Sequence, residues 1–117
     1  MTNAFYIEIV PQDGTVRRFL LPTEQLLVGR SRNRCGLIVI DPRVSRIHLR
    51  ITRSPDLGVT ITDMHSANGS FLDGHRLPAG LAITWLIDQL VSIGSTQLTL
   101  RYGKAPAGND VEAASQT

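Results

Sequence analysis

Phe5-Tyr6-Ile7-Glu8-Ile9 near one end of the chain and Leu98-Thr99-Leu100-Arg101-Tyr102 near the other alternate in polarity with a period of two. In a pleated strand that period sends Phe5, Ile7 and Ile9 to one face and Tyr6 and Glu8 to the other. Similar short apolar runs lie between them, at Val16 to Leu21, Leu26 to Arg30, Leu37 to Ile40, His48 to Arg53, Val59 to Asp63 and Leu90 to Ile93. Turn residues, among them 10 Gly and 6 Pro, separate the runs, a punctuation that predicts an all-β sandwich. Leu81 to Val91 has helix-compatible apolar spacing, but it lacks a capping box and carries β-branched Ile83, Thr84 and Ile87. Strand and loop are expected there instead of helix. Asp13-Gly14 and Asp73-Gly74 read as hairpin turns, the second as a two-residue turn whose positions need positive φ.

With 117 residues, the chain is long enough to bury roughly two-thirds of its unfolded surface in one core and too short for two cores. One domain is expected over residues 1–102. From Gly103 the composition shifts to Gly, Ala, Pro, Ser, Asn and Asp, with Val111 the only large apolar residue. That is too little burial to offset the entropy of ordering, so 103–117 is expected to be a disordered tail or linker. The longest apolar runs fall far below a membrane span, and Met1 to Pro11 has no signal-peptide pattern. Neither membrane insertion nor export is expected. A single cysteine, Cys35, closes no intrachain disulfide and completes no Cys-based zinc site, which fits a reducing cytoplasm.

Net charge is only +2, yet 11 of the 12 basic residues are Arg. The guanidinium fork matches carboxylate and phosphate. Five of these arginines fall between positions 30 and 46, in Gly29-Arg30-Ser31-Arg32-Asn33-Arg34 and Asp41-Pro42-Arg43-Val44-Ser45-Arg46. With Ser31 and Ser45 beside them and only Asp41 opposing, they make a local positive field suited to a phosphate ester. A third polar stretch, His65-Ser66-Ala67-Asn68-Gly69-Ser70, is expected in a loop as well.

Gly29-Arg30, then Ser45-Arg46-Ile47-His48, then Ser66-Ala67-Asn68-Gly69-Ser70 followed by Asp73-Gly74, resembles the forkhead-associated (FHA) domain over about residues 5 to 102, through blocks of the GR, SRxH and SxNGT kind in this order. The resemblance implies a β-sandwich of about 11 strands with binding loops at one end, reading phosphothreonine in partner proteins downstream of a Ser/Thr kinase, without catalysis or cofactor. Carried over by position, Arg30 would pair with phosphate, Ser45 would donate its hydroxyl, and Arg46 would add donors. Asn68 would hold the peptide backbone, and Arg43, just outside the matching block, would contact a downstream residue. Gly29, His48 and Gly69 would brace the loops. Ala67 departs from the Thr or Ser frequent in the family and removes one hydroxyl donor, and Ile87-Asp88 lacks the usual Gly, which bears on the chain path near Trp85.

Three other readings compete. Ser45, His48 and Asp63 are the residue types of a hydrolase triad, but no Gly-x-Ser-x-Gly elbow occurs. His48, His65 and His75 match no zinc spacing, so no metal site is expected. The alternative function from another class is a small basic β-domain that binds nucleic acid, which the sequence pI near 9.2 allows. Only 5% of residues are aromatic and they do not interleave with the arginines, so the stacking surfaces of single-strand binders are missing and no nucleic acid is expected.

Overall fold

The computed structural model describes residues 3–22 and 24–106. Among these residues eleven strands form two sheets: β1 (Asn3–Val10), β2 (Arg17–Leu20), β3 (Gln25–Gly29), β4 (Leu37–Ile38), β5 (Leu49–Ser54), β6 (Gly58–Asp63), β7 (Ser70–Leu72), β8 (His75–Arg76), β9 (Ile83–Thr84), β10 (Leu90–Ile93) and β11 (Thr96–Lys104). One sheet runs β2-β1-β11-β10-β7-β8 and the other β4-β3-β5-β6-β9. All neighbours pair antiparallel except β3 and β4. Among the described residues there is no helix, and so none long and apolar enough to cross a membrane.

The period-two runs become the inner faces. Ile7 pairs with Leu100 and Ile9 with Leu98 across β1 and β11, and all four are buried. On the facing sheet Leu26 sits opposite Ile51, Val28 opposite Leu49, and Ile51 opposite Ile61. These side chains, with Trp85, Val91 and Ile93, form one core between the layers. Each fully buried aliphatic side chain contributes about 1.5–3 kcal/mol relative to exposure, so this interior supplies the rigid platform for the loops above it.

The Asp73-Gly74 expectation is met in detail: Leu72 pairs with His75, and the two turn residues have φ of +48° and +85°. Asp13-Gly14 also lies in a hairpin, but within a longer loop. Pro11 ends β1 because it has no N–H for the ladder. The chain then closes through Gly14 N–H to Pro11 O and Thr15 N–H to the Asp13 carboxylate. Within 81–91 only Ile83–Thr84 and the start of β10 are strand. Trp85 is buried and its indole N–H donates to Gln89 O at 3.0 Å, which draws residues 86–89 into a tight turn. Asp88 takes a φ of +71° there. Strand β11 carries on through Gly103 and Lys104, paired with Ala4 and Asn3, two residues past the expected boundary at 102. Ala105 and Pro106 follow outside any strand, and the expected tail from 107 on lies outside the described residues.

The ladders bring one set of strand ends together. Val28 pairs with Leu49, Leu49 with Asp63, and Ser70 with Ile93. The ends of β3, β6 and β10 and the starts of β5, β7 and β11 therefore share one pole. At this pole Gly29 passes so close to the next loop that a Cβ there would collide with the Arg46 carbonyl and lie 2.8 Å from Ser45 O. Gly29→Ala is expected to cost about 2 kcal/mol through this overpacking, measured as a lower denaturation midpoint with an unchanged m-value.

Candidate functional site

Three loops meet at that pole: β3–β4 (residues 30–36), β4–β5 (39–48) and β6–β7 (64–69). Backbone bonds Arg30 N–H to Ser45 O (3.0 Å) and Ser31 N–H to Arg46 O (3.1 Å) lash the first to the second. Cys35 adds a thiol bond to Arg46 O, at 3.1 Å. Burial pushes this thiol's pKa up, which keeps it protonated and poorly nucleophilic. The second and third loops join where Ala67 N–H donates to Ser45 Oγ (3.0 Å) and where the Asn68 amide donates to Arg43 O (2.8 Å).

Beneath them His48 is wholly buried and spans two loops. Its Nδ1 accepts the Ser45 backbone N–H at 3.0 Å, so the proton resides on Nε2, which donates to Gly69 O at 2.9 Å. Burial holds its pKa below the ordinary 6.5, although the Gly69 carbonyl and the charges of Asp63 and Asp41 pull the other way. Gly69 itself has a φ of +85°, and a Cβ there would lie 2.9 Å from the Arg76 guanidinium.

Two buried carboxylates complete the brace. Asp63 accepts the hydroxyls of Ser66 and Ser70, both at 2.6 Å, and the Ser66 N–H at 3.1 Å. Asp41 accepts N–H groups of Arg43 (3.0 Å) and Ser95 (2.8 Å) and the Thr96 hydroxyl (2.9 Å). Burial alone would raise both carboxyl pKa values, but these donors outweigh it and hold each below the usual 3.8. Neither bracing role follows from the sequence reading, in which Asp63 appears only as a triad residue type and Asp41 only as a counter-charge to the arginines. A signal was present nonetheless: Asp41-x-Arg43 is an Asx-turn spacing, and Asp63-x-x-Ser66 is a local side-chain-to-backbone capping spacing.

These three depressed pKa values set a pH dependence. The folded state binds fewer protons than the unfolded chain, so stability is fully present above about pH 6.5 and falls as His48 is forced toward its charged form. A second loss follows below about pH 4 as Asp41 and Asp63 are driven to protonate. Thermal melts from pH 8 to 3 should show both steps, and His48→Asn should lack the first.

The structure brings together all five residues expected to hold ligand. Arg30 is exposed, with Nε bonded to Val44 O, leaving its terminal amino groups as donors. Ser45 Oγ accepts from Ala67, so its own O–H remains available to donate. Arg46 is exposed. Asn68 spends one amide N–H on the loop itself and keeps its carbonyl oxygen and second N–H as an acceptor and donor pair. Arg43 reaches the Ser95 hydroxyl at the β10–β11 turn. The hydrolase arrangement is absent, because His48 bonds the Ser45 backbone and not its hydroxyl, and Asp63 Oδ1 lies 4.0 Å from a neutral imidazole.

The FHA domain family model matches residues 26–96. The chain belongs to the FHA domain family. No curated protein matches it by sequence, but solved structures do so by shape. The FHA domain of CT664 from Chlamydia trachomatis superimposes with a TM-score of 0.75 at 24% identity, over 83% of this chain and 95% of that one. EmbR of Mycobacterium tuberculosis, in complex with a low-affinity phosphopeptide, gives 0.70 at 19% identity, over 89% of this chain and 26% of that one. The MEK1 FHA domain, in complex with a phosphothreonine peptide of HOP1, gives 0.64 at 19% identity, over 83% and 94%. At these identities the likeness is one of fold. The 11 strands in two sheets are those of an FHA sandwich.

Proposed function

We propose that this FHA domain binds phosphothreonine-containing segments of partner proteins, without catalysis, in the cytoplasm and downstream of a Ser/Thr kinase. In this reading Arg30 and Arg46 pair with the phosphate, Ser45 donates its hydroxyl to a phosphate oxygen, Asn68 holds the peptide main chain, and Arg43 meets a residue beyond the phosphothreonine. The observation that carries it is the set of cross-loop bonds fixing Arg30, Ser45 and Asn68 beside one another above the His48 brace. Donors fixed before the ligand arrives lose little entropy on binding, and a phosphate dianion rewards them with charge-assisted hydrogen bonds. Family membership and the phosphopeptides held by EmbR and by the MEK1 FHA domain support the same reading. The buried, protonated Cys35 suits a reducing compartment.

An extended peptide must be ordered on binding, so affinity is expected near ~1 μM, about −8 kcal/mol. The threonine γ-methyl adds only about 1 kcal/mol by burial, so preference over phosphoserine needs conformational restriction too. Matched libraries of phosphothreonine, phosphoserine and unmodified peptides test the proposal. Selective retention of the first supports it, and equal retention of all three refutes it.

A further inference from the structure

Arg30, Arg32, Arg34, Arg43 and Arg46 are all exposed at the binding pole. Two of the three carboxylates nearby are withdrawn from the surface. Asp41 and Asp63 are only 6% and 3% exposed, and their oxygens are taken up by serine, threonine and backbone donors. Asp13, on the adjoining β1–β2 loop, receives the Thr15 N–H and is the one of the three that is exposed. Among the described residues, arginine ion pairs occur on the β1–β11 face instead, where Arg18 and Arg101 meet Glu8 and Asp88. Even with all three carboxylates counted, the pole keeps an excess of positive charge.

One phosphate ester uses part of that excess. Arg30 and Arg46 adjoin Ser45 at the centre, leaving Arg32 and Arg34 on the β3–β4 loop and Arg43 beside the β10–β11 turn. Arg32 and Arg34 thus lie on the loop lashed to Ser45 and Arg46 through Arg30 and Ser31, and Arg43 lies on the loop that carries Ser45 and is tied to Asn68 and Ser95. Exposed like charges repel one another and gain only when a counter-charge arrives. We infer that the ligand is polyanionic: a phosphothreonine flanked on both sides by further anionic groups, carboxylates or a second phosphate, with Arg32, Arg34 and Arg43 setting that preference. The inference rests on the phosphothreonine reading and narrows it. A peptide fits better than a nucleic acid because no Phe, Tyr or Trp occurs in 29–48 or 64–70, so these loops lack the large aromatic platforms on which single-strand binders stack successive bases.

Three phosphothreonine peptides of equal length test this by titration at about 50 mM and about 500 mM salt: one with neutral flanks, one with aspartates on both sides, and one with a second phosphothreonine. At low salt the anionic flanks should tighten binding about tenfold over neutral ones, and the gap should shrink at high salt. The aspartate and diphosphorylated arms show which anion is the better source. In the Arg32→Gln/Arg34→Gln double variant the ratio of anionic to neutral affinity should drop below about threefold, with phosphorylated peptide still preferred to unphosphorylated and melting unchanged. Equal affinity for neutral and anionic flanks would overturn the inference while leaving phosphothreonine binding intact, as would an unchanged ratio in the double variant. Failure of every phosphopeptide would overturn both, as would tighter binding of an oligonucleotide with a steep salt slope.

Discussion

Arg30→Ala is expected to weaken binding of a phosphothreonine peptide by more than about 100-fold, or roughly 3 kcal/mol. The guanidinium is proposed to give two parallel charge-assisted bonds to one phosphate face, each contributing more than a neutral bond would. The fold has little stake in that side chain. The backbone N–H of Arg30 keeps its bond to Ser45 O in the variant, and only the contact from Nε to Val44 O disappears, at about 1 kcal/mol. Calorimetric titration beside a thermal melt separates the two effects: binding should vanish from the measurable range while the melt shifts by a few degrees. Arg30→Lys, which keeps the charge without the planar fork, should recover only a small part of the affinity. Affinity within about threefold of the parent in Arg30→Ala would remove this residue from the phosphate site.

The largest loss of stability is expected from His48→Ala. The imidazole has no exposed surface, and its removal opens a cavity while leaving the Ser45 N–H and the Gly69 carbonyl without partners. Together these effects cost about 3 kcal/mol, or a fall in Tm of about 10–20 °C for a domain of this size. Affinity should suffer less, by under about tenfold at temperatures where the variant is folded, because no atom of His48 is placed against ligand. A variant that melts like the parent but no longer binds would contradict the bracing role and place His48 in the ligand site.

Much of this was legible from local patterns. Ile7, Ile9, Leu98 and Leu100 announce their shared face by alternation, and the ladder pairs them across β1 and β11. Asp73-Gly74 announces a two-residue turn because few other pairs tolerate positive φ at both positions. The length of the β1–β2 loop was less readable, since Asp13-Gly14 carries turn chemistry without showing how far Pro11 and the Thr15 bond extend the connection. The extent of β11 depends on where β1 begins, a partner almost the whole chain away.

The site divides along the same line. Arg30, Ser45, Arg46, His48 and Asn68 stand in short blocks whose residue types and order could be read in the chain alone. The brace beneath them could not, because it consists of bonds between residues far apart in sequence: Asp41 to Ser95, 54 positions on, Ser45 to Ala67, and Asn68 to Arg43. Periodicity, turn chemistry and motif order are properties of neighbouring residues, and these determined the sandwich, the family resemblance and the candidate ligand residues. Which carboxylates are withdrawn from the surface, and where positive charge is consequently left in excess, depends on burial and cross-loop hydrogen bonding. Those appear only once the chain is folded, because desolvation and donor geometry are set by whatever the two sheets bring alongside.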